Sequence, residues 1–199
     1  MKAGIKNLGF DIDDVISDFW QAAIPIFNKK YGVCAIKSDF VKFESMNTIY
    51  EINDYEFHET IIDSGVLEIM KPYPGVPEIM QKIAEQGHAI TLITSRGYHP
   101  NAKALTLDFL KSNNIPFNSL YIKEDGKTKA DYISHEIDYF VDDLPKNLHD
   151  VKNSGKSKKL GLIDQPWNKD ELGFKRYKSL SHFFKSNFQE KIHLNACFY

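Results

Sequence analysis

Leu8-Gly9-Phe10-Asp11-Ile12-Asp13-Asp14-Val15 sets an apolar run directly against three acids. The run from Leu8 to Ile12 reads as a buried first strand. In an extended chain, residues two apart point the same way, so Asp11 and Asp13 stand about 7 Å apart on one side. Two carboxylates so placed repel each other and are tolerated when a cation sits between them. Mg²⁺ prefers hard oxygen ligands and keeps waters beside one or two carboxylates, so it suits such a pair. Taken alone, the pair also fits acids on a surface turn.

Working outward, the chain changes character twice. Residues 17–71 mix aromatics and acids irregularly, with Phe40, Phe43, Tyr50, Tyr55 and Phe57 and no strong strand, and read as a small helical insertion. Pro25 is expected to kink or end the helix there. From Pro72 onward, strands and helices alternate. Pro74-Gly75 is a turn before a helix with the stripe Ile79, Met80, Ile83 and Ala84. Strands are expected at 88–94, 120–122, 139–141 and 160–163, with helices over 101–113, 129–136, 145–153 and 180–188. That alternation predicts an α/β fold, a Rossmann-like parallel sheet with helices on both faces. Residues 1–16 and 72–199 form its core and residues 17–71 a helical cap.

In such sheets ligands bind beyond the carboxyl ends of the strands, and polar residues collect there. Asp11 and Asp13 follow the first strand, Thr94 and Ser95 the second, and Asp142 and Asp143 the fourth. Small hydroxyls and free N–H groups at a strand-to-helix junction can hold phosphate oxygens, or serve as a helix cap. Asp142 can complete a metal site with Asp143 supporting it, although Pro145 makes a cap equally natural. A lysine at position 127 or 129 can neutralise both an acid and a phosphoryl group.

The 199 residues carry 25 Lys plus Arg against 27 Asp plus Glu, a balance without the basic excess of a nucleic-acid surface. The lysine-rich stretch from Lys152 to Lys159 reads as a solvated loop. Cys34 and Cys197 form no metal pattern and suit a reducing cytoplasm. No apolar run is long enough for a membrane span.

The ordered set Asp11-Ile12-Asp13-Asp14-Val15, Thr94-Ser95, Lys129 and Val141-Asp142-Asp143 resembles the haloacid dehalogenase superfamily. More narrowly, the chain resembles its 5′-nucleotidase and 5′(3′)-deoxyribonucleotidase branch. That likeness rests on Asp11 to Trp20 with its Asp18-Phe19 pair, on Lys71-Pro72-Tyr73-Pro74-Gly75 and on Asp164-Gln165-Pro166-Trp167-Asn168. Two residues depart from it: Asp14 stands where the branch usually has Gly, and Arg96 where it usually has Pro. The resemblance implies a phosphomonoesterase in which Asp11 attacks phosphorus and Asp13 acts as acid and then base. It implies Mg²⁺ held by Asp11, the Asp13 carbonyl and Asp142, with phosphate bound by Thr94 or Ser95 and Lys129. An acid at position 13 separates phosphatases from the carbon–halogen hydrolases. The expected partner is a small phosphorylated metabolite, a nucleoside 5′-monophosphate first. A sugar phosphate or a nucleic-acid end is the alternative, with a phospho-accepting signalling module or a non-catalytic binding module behind. Phe19, Trp20, Phe43 and Arg96 are the candidate substrate contacts.

Overall fold

The computed structural model describes residues 4–42 and 44–188, so Phe43 and Cys197 lie outside the described residues. Among the described residues, six parallel strands form one sheet: β1 (Asn7–Phe10), β2 (Ala89–Thr94), β3 (Ser119–Ile122), β4 (Tyr139–Asp142), β5 (Leu160–Ile163) and β6 (Lys175–Tyr177). Their spatial order is β3-β2-β1-β4-β5-β6. The chain builds outward from β1 to β3, then returns to the other side of β1 for β4. The crevice between the carboxyl ends of β1 and β4 is therefore the topological switch point, where ligands bind in open α/β sheets.

Burial explains why β1 and β4 sit at the centre. Leu8, Phe10, Phe140 and Val141 are fully covered, as expected for a parallel sheet packed on both faces. Gly9 is required by close approach, because a Cβ there would meet the Phe140 ring and the Ile137 side chain. The helices that follow the first strand are α1 (Phe19–Tyr31), α2 (Ser45–Tyr50), α3 (Asp54–Ser64) and α4 (Val66–Ile69). Around the remaining strands pack α5 (Val76–Glu85), α6 (Ala102–Ser112), α7 (Pro145–Ser154) and α8 (Leu180–Asn187).

Residues between β1 and α5 form helices and turns with no named strand among those described. The chain leaves and returns through adjacent stretches: Asp18 N–H donates to the Lys71 carbonyl and Tyr73 N–H to that of Ile16, both at 2.9 Å. Aromatic rings fill the interior of this segment. Trp20 stacks on Phe40 at 4.5 Å, and Phe27 lies 5.3 Å from both Tyr50 and Phe57. No helix among the described residues is long and apolar enough to cross a membrane.

Three local expectations differ from the structure. Helix α1 continues through Pro25 rather than ending there. Pro25 and Gln21 are both exposed, so the Gln21 carbonyl that loses its partner faces water. Instead of a helix over 129–136 there is one 3-10 turn, Lys129–Tyr132. The backbone beyond it is claimed by the sheet: Ile137 N–H donates to Lys156 O at 3.0 Å and Asp138 N–H to Asn7 O at 2.8 Å. The sixth strand carries no sequence signal, since only Tyr177 of Lys175–Tyr177 is buried and two cations precede it.

Gly97, in the loop after β2, packs so closely on the loop after β3 that a Cβ would run into the Lys123 carbonyl oxygen. Gly97→Ala is expected to cost about 1–3 kcal/mol, as overpacking against backbone does. Chemical denaturation would show this as a lower midpoint with an unchanged slope.

Candidate active site

Asp11 is the first residue beyond β1, and its N–H donates to the Val141 carbonyl of β4 at 2.9 Å. Its carboxylate therefore lies in the crevice between the two strands. The next turn is tight: the N–H groups of Ile16 and Ser17 both donate to Ile12 O at 2.8 Å. The turn puts Asp14 in the left-handed region, at φ 57°, where the related branch usually has Gly. Asp tolerates that region better than most residues, at a cost on the order of 1 kcal/mol. Here the side chain is used. Lys37 Nζ reaches Asp14 Oδ1 at 2.8 Å, Asp18 Oδ1 at 3.2 Å and the Tyr73 hydroxyl at 2.6 Å.

Lys129, opening its 3-10 turn, is buried. Its ammonium lies 2.7 Å from Asp11 Oδ1 and 2.8 Å from Asp142 Oδ2. Burial pulls against its charge, but the two carboxylates win and hold its pKa above the ordinary value. Lys127 instead lies exposed and pairs with Glu124 at 2.9 Å. Asp142 is further filled by Leu144 N–H at 2.9 Å and by the Asn147 amide at 3.1 Å. Asp143 faces the cavity and accepts the Trp167 indole N–H at 2.8 Å.

Asp11, Asp142 and Asp143 present oxygens within 4.8 Å of one another, all buried. One lysine against three carboxylates leaves excess negative charge. Burial pushes the Asp11 pKa up to about 7, against Lys129, while burial and then Asp142 push Asp143 well above the carboxylate range. Hard oxygen donors in negative excess fit a divalent cation such as Mg²⁺.

Asp13 is different. Burial would raise its pKa, but the Arg96 guanidinium outweighs it and holds the carboxyl below its usual value. Arg96 Nη2 donates to Asp13 Oδ1 at 2.6 Å and Nε to Oδ2 at 2.8 Å. Ser17 and Thr94 hydroxyls add 3.0 Å and 3.4 Å contacts to the same carboxylate. Thr94 is buried, whereas Ser95 is exposed and lines the cavity.

The cavity above these groups measures about 290 Å³. Asp11, Asp13, Ser95 and Asp143 line its base, and Phe19, Trp20, Phe57 and Trp167 its apolar wall. Phe19 and Trp20 are thus brought to the site from the helical segment. Arg96 also borders it, yet is engaged with Asp13 rather than open to a ligand. Residues not anticipated from sequence are His58, Tyr98, Lys123, Asp125 and Asn147. Lys123 follows the end of β3, a position the strand-end rule could have flagged. His58 had no such signal. Its ring stacks on Tyr98 at 4.1 Å and 5°, joining α3 to the loop after β2.

Residues 5–186 match the family described as 5′-nucleotidase, deoxy (pyrimidine), cytosolic type C protein. A protein of Oceanobacillus iheyensis carrying the description "putative nucleotidase" is 27% identical over 180 residues, covering 86% of this chain and 94% of its own. A haloacid dehalogenase-like hydrolase from Streptococcus pneumoniae superposes with a TM-score of 0.65 at 15% identity, covering 93% and 99% of the two chains. A hydrolase of the same superfamily from Bacillus subtilis, solved bound to magnesium, gives 0.63 at 14% identity, covering 92% and 99%. These two likenesses show the shared fold.

The acid cluster predicts an unusual pH dependence for the metal-free protein. Asp11 and Asp14 both titrate near 7 when folded, against 3.8 unfolded. Between those values the folded state binds more protons, so stability falls as pH rises. Asp13, shifted downward, contributes nothing to the slope in this window. His58 and His88, whose pKa values burial lowers, act the other way below their usual 6.5, so in chelator the melting temperature is expected to fall most clearly between about pH 6 and pH 7 and to level off by about pH 8. A flat or rising profile would contradict the burial argument.

Proposed function

The chain belongs to the cytosolic type C 5′-nucleotidase (deoxy, pyrimidine) family, a family of phosphoric monoester hydrolases, and from that premise we propose a Mg²⁺-dependent phosphatase that acts through an aspartyl-phosphate on nucleoside 5′-monophosphates. The observation that carries this reading is Asp11 at the sheet's switch point, paired to buried Lys129 and facing a partly apolar cavity.

In the first half-reaction an Asp11 oxygen attacks phosphorus and the bond to the leaving oxygen breaks; Asp13, protonated in the substrate complex where the phosphate dianion opposes the Arg96 charge, supplies the proton that oxygen needs. In the second, Asp13 takes a proton from water, whose oxygen displaces Asp11 and releases inorganic phosphate. Lys129, paired to Asp11, and Ser95, on the cavity lining, would hold the transferring oxygens. Asp11, the Asp13 carbonyl and an acid of the Asp142-Asp143 pair would hold the metal. Of that pair, Asp143 faces the cavity while Asp142 is occupied by Lys129, Leu144 and Asn147, so we assign Asp143 to the metal and Asp142 to anchoring the lysine. When bound, Mg²⁺ offsets the charge of the phosphate dianion. Residues 17–71 serve as a cap that selects the leaving group. The family and the exposed thiol of Cys34 favour a cytoplasmic setting.

Asp11→Asn is expected to abolish phosphate release while keeping the fold, and excess chelator to abolish turnover in the wild type. Residual hydrolysis at wild-type rates in either case would remove the nucleophile or the metal from the scheme. Lys129→Ala should cost far more than Lys127→Ala in the same phosphate-release assay.

Substrate choice follows from the wall. Base stacking on an aromatic ring contributes about 1–3 kcal/mol, so nucleoside monophosphates should exceed sugar phosphates by about tenfold or more in kcat/KM. A panel of phosphate esters tests this, and a sugar phosphate or a phosphorylated oligonucleotide at the top would overturn the nucleotide assignment.

A further inference from the structure

Arg96 is among the largest fully buried side chains of the protein, with 1% of its surface exposed. A buried cation is costly unless its partners are well placed, and here four hydrogen bonds engage it. Two go to Asp13, one to the Thr106 hydroxyl of α6 at 3.0 Å and one to Met70 Sδ at 3.2 Å. The guanidinium also lies over the Phe109 ring at 5.9 Å. So held, it is a rigid fork and not a mobile phosphate ligand.

The fork meets both Asp13 oxygens and fixes the plane of the carboxylate. Ser17 takes a second position on Oδ1 at 3.0 Å. On Oδ2 the remaining position faces Thr94 at 3.4 Å, the longest contact of the four. One weakly held position is thus left on a carboxylate otherwise locked in place.

We propose that Arg96 is a positioning residue for Asp13, presenting that one position of Oδ2 to the leaving-group oxygen and then to water. This role rests on the two-step reaction through Asp11 given above. With its donors on Asp13, Thr106 and Met70, Arg96 acts by denying Asp13 other orientations, so that displacement of Thr94 opens the one position through which the proton passes.

Leaving groups separate this role from a merely structural ion pair. 4-Nitrophenyl phosphate expels a phenolate that departs without a proton, whereas a nucleoside 5′-monophosphate expels an alkoxide that needs one. Under Mg²⁺, first-turnover release of nucleoside by Arg96→Ala is expected to slow by about a hundredfold or more, and first-turnover release of 4-nitrophenol far less. Arg96→Lys, which keeps the charge but loses the fork, should show the same selectivity with a smaller loss. In an Asp13→Asn background, Arg96→Ala should add little further loss. Equal losses on both esters, or wild-type rates on the nucleotide, would overturn the role. Should Arg96→Ala fail to fold, Arg96→Lys supplies the same comparison. If the wild type releases neither product, the two-step reaction itself fails, a result distinct from any of these.

Discussion

The ammonium of Lys129 between Asp11 and Asp142 is the contact on which the arrangement of the crevice depends. Two parallel strands side by side bring their carboxyl ends together, and this sequence puts an acid at each end. With Asp143 beside them, three buried carboxylates would repel strongly in a low-dielectric site. One buried lysine offsets part of that charge and fixes where each acid points. It turns Asp142 toward the turn at 129–132 and leaves Asp143 facing the cavity. The charge left over is what a divalent cation would complete.

Much of this was legible in the sequence because the signals are local. The apolar run before Asp11, the strand before Thr94 and the Val141-Asp142-Asp143 junction each mark a strand end, and the topology gathers them at one edge. Other features depend on partners far along the chain. The expected helix over 129–136 stops after one turn, and just beyond it the N–H groups of Ile137 and Asp138 pair with Lys156 and Asn7. Lys175–Tyr177 becomes a strand only because β5 offers an edge. Arg96, a candidate substrate contact by sequence, has its fork on Asp13, and no spacing rule links positions 83 residues apart. The division of labour between Asp142 and Asp143 rests on side-chain orientation, which adjacent letters in a sequence do not encode.

The helical segment after β1 also shows how aromatic composition can be divided between two uses. Phe27, Phe40 and Tyr50 fill its interior, while Phe19, Trp20 and Phe57 reach both that interior and the cavity. A ring that is already packed loses little conformational freedom when a ligand arrives, so the wall is pre-organised by the same contacts that hold the segment together.

Asp14 and Lys37 carry a consequence for how this chain can change. A left-handed backbone position favours glycine, and an aspartate is retained there with its carboxylate under the ammonium of Lys37 and the hydroxyl of Tyr73. The two positions are therefore not independent. With Asp at 14, losing Lys37 strands a buried acid; with Gly at 14, the same loss removes a lysine that still has Asp18. Substitutions at these sites should be tolerated in one order and not the other. Evolutionary paths that exchange glycine for aspartate in this turn would then acquire the lysine first.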